Sequence, residues 1–210
     1  MVVDAAVILA GGGGRRLGGI DKPALRLGGR TLLQCALDAV PGATAVVVGP
    51  GRDLPASVRQ VTEDPPGSGP AAALVAGLRA VADVMSAGRL PADGATVAVL
   101  AADLPGITAA TVERLAGALG PGDGGPSPAG AVLVDAHGRR QFLSGVFRLG
   151  PLLAAAGTAD WGGRPVRALL DPLVDVEVPA AGAEAADVDT PEHCRRWGLA
   201  DPSSGGAATS

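Results

Sequence analysis

Apolar and polar positions along the chain alternate between two periods, and the switches between them mark out the elements. Ala5 to Leu9 is an unbroken apolar run that ends in glycines, the pattern of a strand buried on both faces of a parallel sheet. Thr31 to Ala39 (TLLQCALDA) has helical spacing behind a Thr N-cap, and Ala43 to Val48 (ATAVVV) reads as the next strand. The same alternation predicts a weak strand over Arg59 to Thr62, a helix over Pro70 to Ser86, a strand over Thr96 to Ala101 and a helix over Ala109 to Ala118. A glycine-rich stretch from Gly120 to Gly130 reads as a flexible loop. Beyond it come strands at Ala131 to Val134 and Phe142 to Arg148 around a turn at His137 and Gly138. A short helix over Val166 to Leu170, a strand over Val174 to Val178 and a helix over Pro191 to Trp197 close the pattern. Strands spaced by helices imply an α/β chain with a mostly parallel central sheet and helices on both faces, a three-layer Rossmann-like arrangement. Residues 1–200 read as a single domain, since 210 residues leave little room for two, and residues 201–210 (DPSSGGAATS) read as a disordered tail.

Composition narrows the function. Phe142, Phe147, Trp161 and Trp197 are the only aromatics, so Ala, Val and Leu must fill the core, and Trp161 and Trp197 read as packing residues. With a net charge of −4 and so few aromatics, the chain has neither the basic footprint nor the stacking platforms of a nucleic-acid binder. The N-terminus lacks a basic n-region and a long apolar h-region, and no run of about 18 apolar residues appears, so the chain reads as soluble and cytoplasmic, with no membrane partner. Cys35 and Cys194 lie far apart with no His at metal-binding spacing and read as buried small hydrophobes.

The chemistry concentrates after the first strand. Gly11 to Lys22 holds six Gly, Arg15, Arg16 and Lys22, the only Lys in a chain with 16 Arg. Open α/β sheets bind ligands at the carboxyl ends of their strands, where this loop falls. No offset gives G-x-G-x-x-G, and Lys22 stands between Asp21 and Pro23 rather than in a Walker A setting. Glycines here let backbone amides approach a polyphosphate, Arg15 and Arg16 can neutralise its outer charge, and Lys22 offers a point charge to the α-phosphate. Asp103, just past a strand end, is the first candidate to hold a hard cation, and Asp189 the second, with Asp187 a less favoured third. Asp187 and Asp189 face the same way if DVDTP is extended, while Asp189 could equally cap the helix that starts at Pro191.

LAGGGGRRLGGIDK at residues 9–22 resembles the opening motif of the MobA-like molybdenum cofactor guanylyltransferases, a branch of the nucleoside-triphosphate transferases, with Leu17 where the pattern has Met. The resemblance continues through GGRTLLQCALDAV, DPPGSGPAAALVAGL, LAADLPGIT and DVDTPEHC in the family's order. It implies a nucleotidyltransferase fold and a Mg²⁺-dependent transfer of GMP from GTP to molybdopterin, with release of pyrophosphate and transient contact with pterin-processing proteins. By the same resemblance Arg16, Lys22 and Asp103 are the catalytic residues, and Leu9, Ala10, Gly11, Gly12, Gly13, Arg15, Asp64, Gly69 and Pro70 join Lys22 and Asp103 around the nucleotide. Arg139, Arg140, Gln141 and Arg148 fall where relatives meet the acceptor. Many relatives carry Asn in place of the acidic DVD pair, and guanine-specific ones often have Asn after the second strand, where this chain runs Gly49-Pro50-Gly51-Arg52. A cytidylyltransferase for the same acceptor, a nucleotidyltransferase for another phosphorylated acceptor, and a silent nucleotide- or pterin-binding module remain as alternatives.

Overall fold

A computed structural model describes residues 3–11, 20–87, 94–120 and 127–200 of the chain. Nine strands and six helices follow one another as β1 (Ala5–Leu9), β2 (Arg26–Leu27), β3 (Arg30–Thr31), α1 (Leu32–Asp38), β4 (Thr44–Val48), β5 (Arg59–Val61), α2 (Pro70–Ala87), β6 (Thr96–Ala101), α3 (Ala109–Ala118), β7 (Gly130–Val134), β8 (Arg140–Arg148), α4 (Leu149–Ala156), α5 (Val166–Leu170), β9 (Val176–Pro179) and α6 (Pro191–Trp197) among the described residues. Seven strands form one sheet in the order β5-β4-β1-β6-β8-β7-β9. All its pairings are parallel except those of β8, which runs antiparallel to β6 and β7.

The sheet is buried on both faces because β1 has no polar position to turn outward. Val7 joins α2, α4 and α5 on one side, whereas Ala6 and Ile8 join α1 and α3 on the other. That gives the three layers. Among the described helices, α2 is the one long and apolar enough to cross a membrane by length and composition, but it packs on β1 and β4, and Leu74, Leu78 and Val81 are fully buried there. Gly77 allows that close approach, since a Cβ at this position would lie 2.5 Å from Val7 Cγ1 and 2.8 Å from Val48 Cγ2.

Helix starts follow the sequence chemistry. Thr31 caps α1 in a reciprocal box with Gln34, and Thr108 does the same for α3 with Thr111. Two elements go beyond the sequence reading. Helix α4 follows β8 directly, with Pro151 in its first turn, where the missing N–H does no harm. The β2–β3 hairpin turns on Gly28 and Gly29, both at positive φ, the requirement of a two-residue hairpin turn.

A third, small core lies apart from the two main ones. Leu25, Leu32 and Val188 are buried there against Ile20, Leu27, Cys194, Trp197 and Leu199, and Arg26 and Ala200 exchange backbone hydrogen bonds beside them. Cys35 and Cys194 are half-buried rather than fully buried as expected, Cys194 because it sits at the rim of this cluster. The tail at 201–210 falls outside the described residues.

Candidate functional site

The parallel register brings three strand ends to one edge. Leu9 pairs with Val48 and with Ala101, so Ala10, Gly49 and Ala102 follow side by side. Ala10 N–H donates to Val48 O at 2.8 Å and Ala102 N–H to Leu9 O at 3.0 Å. Gly49 has φ of 149°, and a Cβ on it would stand 2.8 Å from Ala10 C and 2.9 Å from Gly11 N. Only glycine lets the end of β4 lie this close to the start of the glycine-rich loop.

Lys22 opens a 3₁₀ turn (Lys22–Ala24) anchored by the buried Pro23. Its ammonium donates to Asp103 Oδ2 at 3.3 Å and to Asp189 Oδ1, so three distant stretches of chain meet at one charge cluster. Burial by itself would lower the Lys22 pKa, but the Asp189 hydrogen bond and the charges of Asp103 and Asp189 outweigh it and leave the pKa raised. The group stays an ammonium at any physiological pH. Partial desolvation, then the charges of Asp189 and Asp103, push the Asp187 carboxyl above its ordinary range, although the residue as a whole remains solvent-accessible. Asp187 thus belongs to the same cluster as Asp189, with Val188 between them turned into the small core.

Neither aspartate at the centre is consumed by helix capping. Thr190, not Asp189, caps α6, accepting from His193 N at 3.2 Å, and Thr108 rather than Asp103 caps α3. The donor set is two carboxylates from separate loops with a third beside them. Hard oxygen donors in that number suit Mg²⁺, which is typically held by one or two carboxylates and completed by water and substrate phosphate. Among the described residues no three His, Cys, Asp or Glu side chains form a complete metal cage.

Leu9, Ala10 and Gly11 stand at the loop's entry, while Gly12, Gly13, Arg15 and Arg16 lie outside the described residues. Asp64, Gly69 and Pro70 gather at the N-terminus of α2. Gly69 adopts φ of 95°, and Ser68 O accepts from Gly163 N at 2.7 Å, which fixes this turn against the loop before α5. Asp64 and Ser68 line a groove of about 670 Å³ with Thr62, Arg79 and Trp161, on the α2 side of the sheet and not containing Lys22 or Asp103. Trp161 is a packing residue, its indole N–H held by Ala156 O at 2.9 Å.

The expected acceptor residues divide. Arg140 and Gln141 begin β8, with Arg139 just before it, at the same edge of the sheet as Asp103, where Arg139 pairs with Asp135 at 2.9 Å, Gln141 donates to Asp135 at 3.1 Å and Arg140 bridges Asp171 and Glu177 at 2.6 and 2.7 Å. Arg148 stands apart from them. It pairs with Thr96 at the opposite end of β6, and its guanidinium donates to the carbonyls of Pro128, Leu119 and Gly120. Antiparallel β8 carries its last residue away from the edge where its first ones stand.

Sequence reasoning missed two groups. Arg52 makes a two-pronged ion pair with Asp21 at 2.5 and 2.6 Å and donates to Ala10 O at 3.2 Å, which ties together both ends of the glycine-rich loop. Glu184 is buried and accepts from Thr111 Oγ1 at 2.6 Å, from Arg114 at 2.9 and 2.7 Å and from Ala181 N at 2.7 Å. Arg114 first, then Thr111 and the Ala181 amide, overcome desolvation and hold its carboxyl down to about 2. Glu184 sits in an Ala-rich stretch with no periodicity, so nothing in the sequence singled it out.

Three known proteins and one family model are similar to this chain. A molybdenum cofactor guanylyltransferase of Acidiphilium cryptum (strain JF-5) is 46% identical over 80 residues, 35% of this chain and 41% of the relative, so the match spans about two fifths of that protein. Molybdopterin-guanine dinucleotide biosynthesis protein A from Archaeoglobus fulgidus superposes with a TM-score of 0.62 at 20% identity, over 92% of this chain and 96% of the other. 4-Diphosphocytidyl-2C-methyl-D-erythritol synthase from Anaerococcus prevotii superposes with a TM-score of 0.60 at 15% identity, over 92% and 93%. At those identities the two structures speak to the fold alone. A family model described as MobA-like NTP transferase domain runs from residue 6, in the first strand, to residue 176, where the last strand of the sheet begins, and the chain belongs to that family.

Proposed function

We propose that the protein is a Mg²⁺-dependent nucleotidyltransferase that transfers GMP from GTP to molybdopterin and releases pyrophosphate. The observation that carries this reading is the meeting of Lys22, Asp103 and Asp189 beside the glycine-rich loop, at the sheet edge where α/β folds bind ligands. The local identity to a molybdenum cofactor guanylyltransferase supports the choice of GTP and molybdopterin.

In this reading the backbone at Leu9 to Gly11 and the Asp64 to Pro70 turn cradle the nucleotide, and Arg15, Arg16 and Lys22 balance phosphate charge. Asp103 and Asp189, with Asp187 adjoining, would hold Mg²⁺, which when bound neutralises charge on the triphosphate. The acceptor phosphate is already ionised at neutral pH and attacks the α-phosphorus in line. Its oxygen forms the new P–O bond as the bond to pyrophosphate breaks. Such a step asks for placement and charge stabilisation more than for a strong base, and Lys22, fixed as an ammonium, supplies that charge without reorganising. Arg139, Arg140 and Gln141 remain acceptor-side candidates, with molybdopterin-processing proteins as transient partners. A single catalytic domain over residues 1–200 and a cytoplasmic location belong to the same proposal, supported by a core in which the apolar face of α2 is taken up by the sheet.

Cytidine is the second reading, because Gly49-Pro50-Gly51 is followed by Arg52, whose guanidinium is turned to Asp21 and Ala10. Pyrophosphate release with Mg²⁺, molybdopterin and GTP, CTP or ATP in separate reactions tests both. Release with GTP alone supports the first, preference for CTP moves the assignment to the second, and no release with any of them overturns the pair.

A further inference from the structure

Two of the three carboxylates in the cluster come from an irregular segment with no strand or helix to hold it, yet they must meet Asp103 from another loop. The segment is pinned at two places. At its C-terminal end Val188 is fully buried and its N–H donates to Asp103 O at 3.2 Å. At its N-terminal end Glu184 accepts four hydrogen bonds, three of them from Thr111 and Arg114 on α3, and Arg114 also reaches Pro179 O at 3.2 Å. Between these pins the Ala186 amide closes a turn onto Ala183 O at 3.0 Å. The Asp103 loop is shaped to the same segment. A Cβ on Gly106 would overlap Ala183 O and stand 2.7 Å from Ala183 C, so the two backbones touch where one leaves Asp103 and the other approaches Asp187.

We infer that Glu184 is a positioning residue: through Arg114 and Thr111 it fixes the 184–189 segment against the Asp103 loop, so that Asp189, with Asp187 adjoining, stands beside Asp103 before any ligand arrives. The inference rests on the proposed reading that these carboxylates hold the divalent cation. A buried carboxylate with every prong engaged orders the start of a segment whose far end is held by Val188, by the Lys22–Asp189 pair and by the Asp189 N–H on His193 Nδ1. Groups that orient metal ligands without touching the metal typically change metal affinity or activity 10–100-fold when removed.

The test uses the full chain with Glu184→Gln, Arg114→Gln and the pair together, and Gly106→Ala as an independent disturbance of the same contact. Mn²⁺ binding is followed by EPR with guanosine 5′-(α,β-methylene)triphosphate, or its cytidine counterpart if CTP is the donor. Mg²⁺ activation of pyrophosphate release is measured alongside, at a temperature where circular dichroism shows the variants folded. Both single variants should bind Mn²⁺ roughly 10-fold more weakly and need correspondingly more Mg²⁺ for half-maximal turnover. Their affinity for the metal-free analogue should be unchanged, and the double variant should be little worse than either single one. Variants that melt earlier but keep wild-type Mn²⁺ affinity and Mg²⁺ dependence would make Glu184 purely structural and overturn the inference. If Glu184→Gln does not fold, Arg114→Gln and Gly106→Ala carry the same test, because the Arg114 side chain is 40% exposed and Gly106 meets the segment at its backbone, at Ala183 O and Glu184 N, rather than at the carboxylate. Wild-type protein that binds no Mn²⁺ would overturn the cation reading itself, a result visible without any variant.

Discussion

Gly77→Ala and Gly117→Ala make the same chemical change inside two helices, and the structure assigns them opposite signs. Each removes backbone entropy from the unfolded chain and should favour the helix by about 1 kcal/mol, somewhat less at Gly117 near the end of α3. At Gly117 nothing lies within 4 Å of the new methyl, so the gain stands. At Gly77 the methyl arrives 2.5 Å from Val7 Cγ1, 2.8 Å from Val48 Cγ2 and 3.4 Å from Val7 Cγ2. Both valines are almost wholly buried, on neighbouring strands, and β-branched side chains have few rotamers with which to yield. Relief then requires α2 to lift from the sheet along its whole packed face. Overpacking of this kind costs about 1–3 kcal/mol, and two fixed obstacles argue for the upper part of that range. The net expectation is a loss of about 1–2 kcal/mol for Gly77→Ala against a gain of about 0.5–1 kcal/mol for Gly117→Ala. Urea unfolding followed by circular dichroism resolves differences of this size. Because α2 begins at Pro70, in the turn proposed to cradle the nucleotide, Gly77→Ala should also raise the KM for the nucleotide, while Gly117→Ala leaves it alone. A Gly77→Ala protein as stable as wild type would refute the claim that helix–sheet approach at this position leaves no room.

Lys22→Ala should lower kcat by roughly 100–1,000-fold, the usual loss for one preorganised charge, with unfolding unchanged within about 1 kcal/mol. Turnover within a few-fold of wild type would remove Lys22 from the site. Gly49→Ala should weaken nucleotide binding and stability together, because its methyl would collide with Ala10 and Gly11 backbone that cannot move aside without reshaping the loop; unchanged nucleotide affinity by titration calorimetry would contradict this. The acid behaviour of Glu184 follows from linkage. Its folded pKa of about 2 lies below the ordinary 4.5, so the stabilisation is complete above pH 4.5 and is lost as pH falls towards 2. Wild type should therefore exceed Glu184→Gln by up to about 3 kcal/mol at pH 7, narrowing steadily below pH 4.5, and a gap that does not change with pH would show that the charge is not the source.

How much the sequence told depended on whether the structural cause was local. Helices α3, α5 and α6 and strand β6 run over the residues read from the pattern, because caps such as Thr108, the Pro at the start of α6 and an apolar run announce them. The β2–β3 hairpin and α4 did not stand out, since two residues per strand give no alternation to count and Gly150-Pro151 imitates a break. At the site, the motifs named Lys22, Asp103 and Asp189, but only the fold brings residues 81 and 167 positions away onto Lys22. Arg148 stands apart from the other expected acceptor residues for the converse reason: strand direction, which a motif does not carry, decides which end of β8 lies at the Asp103 edge. Arg52 and Glu184 do their work through partners far along the chain, Asp21 and Arg114, and pairings of that kind leave no mark on a single sequence.

The most direct test of the central claim follows the label. With Mg²⁺ and molybdopterin, [α-³²P]GTP should leave its label on the acceptor and [γ-³²P]GTP should leave its label in pyrophosphate, with both transfers lost in Asp103→Asn. No α-label on the acceptor with any nucleoside triphosphate, or label passed on from the γ-position, would contradict nucleotidyl transfer at this site.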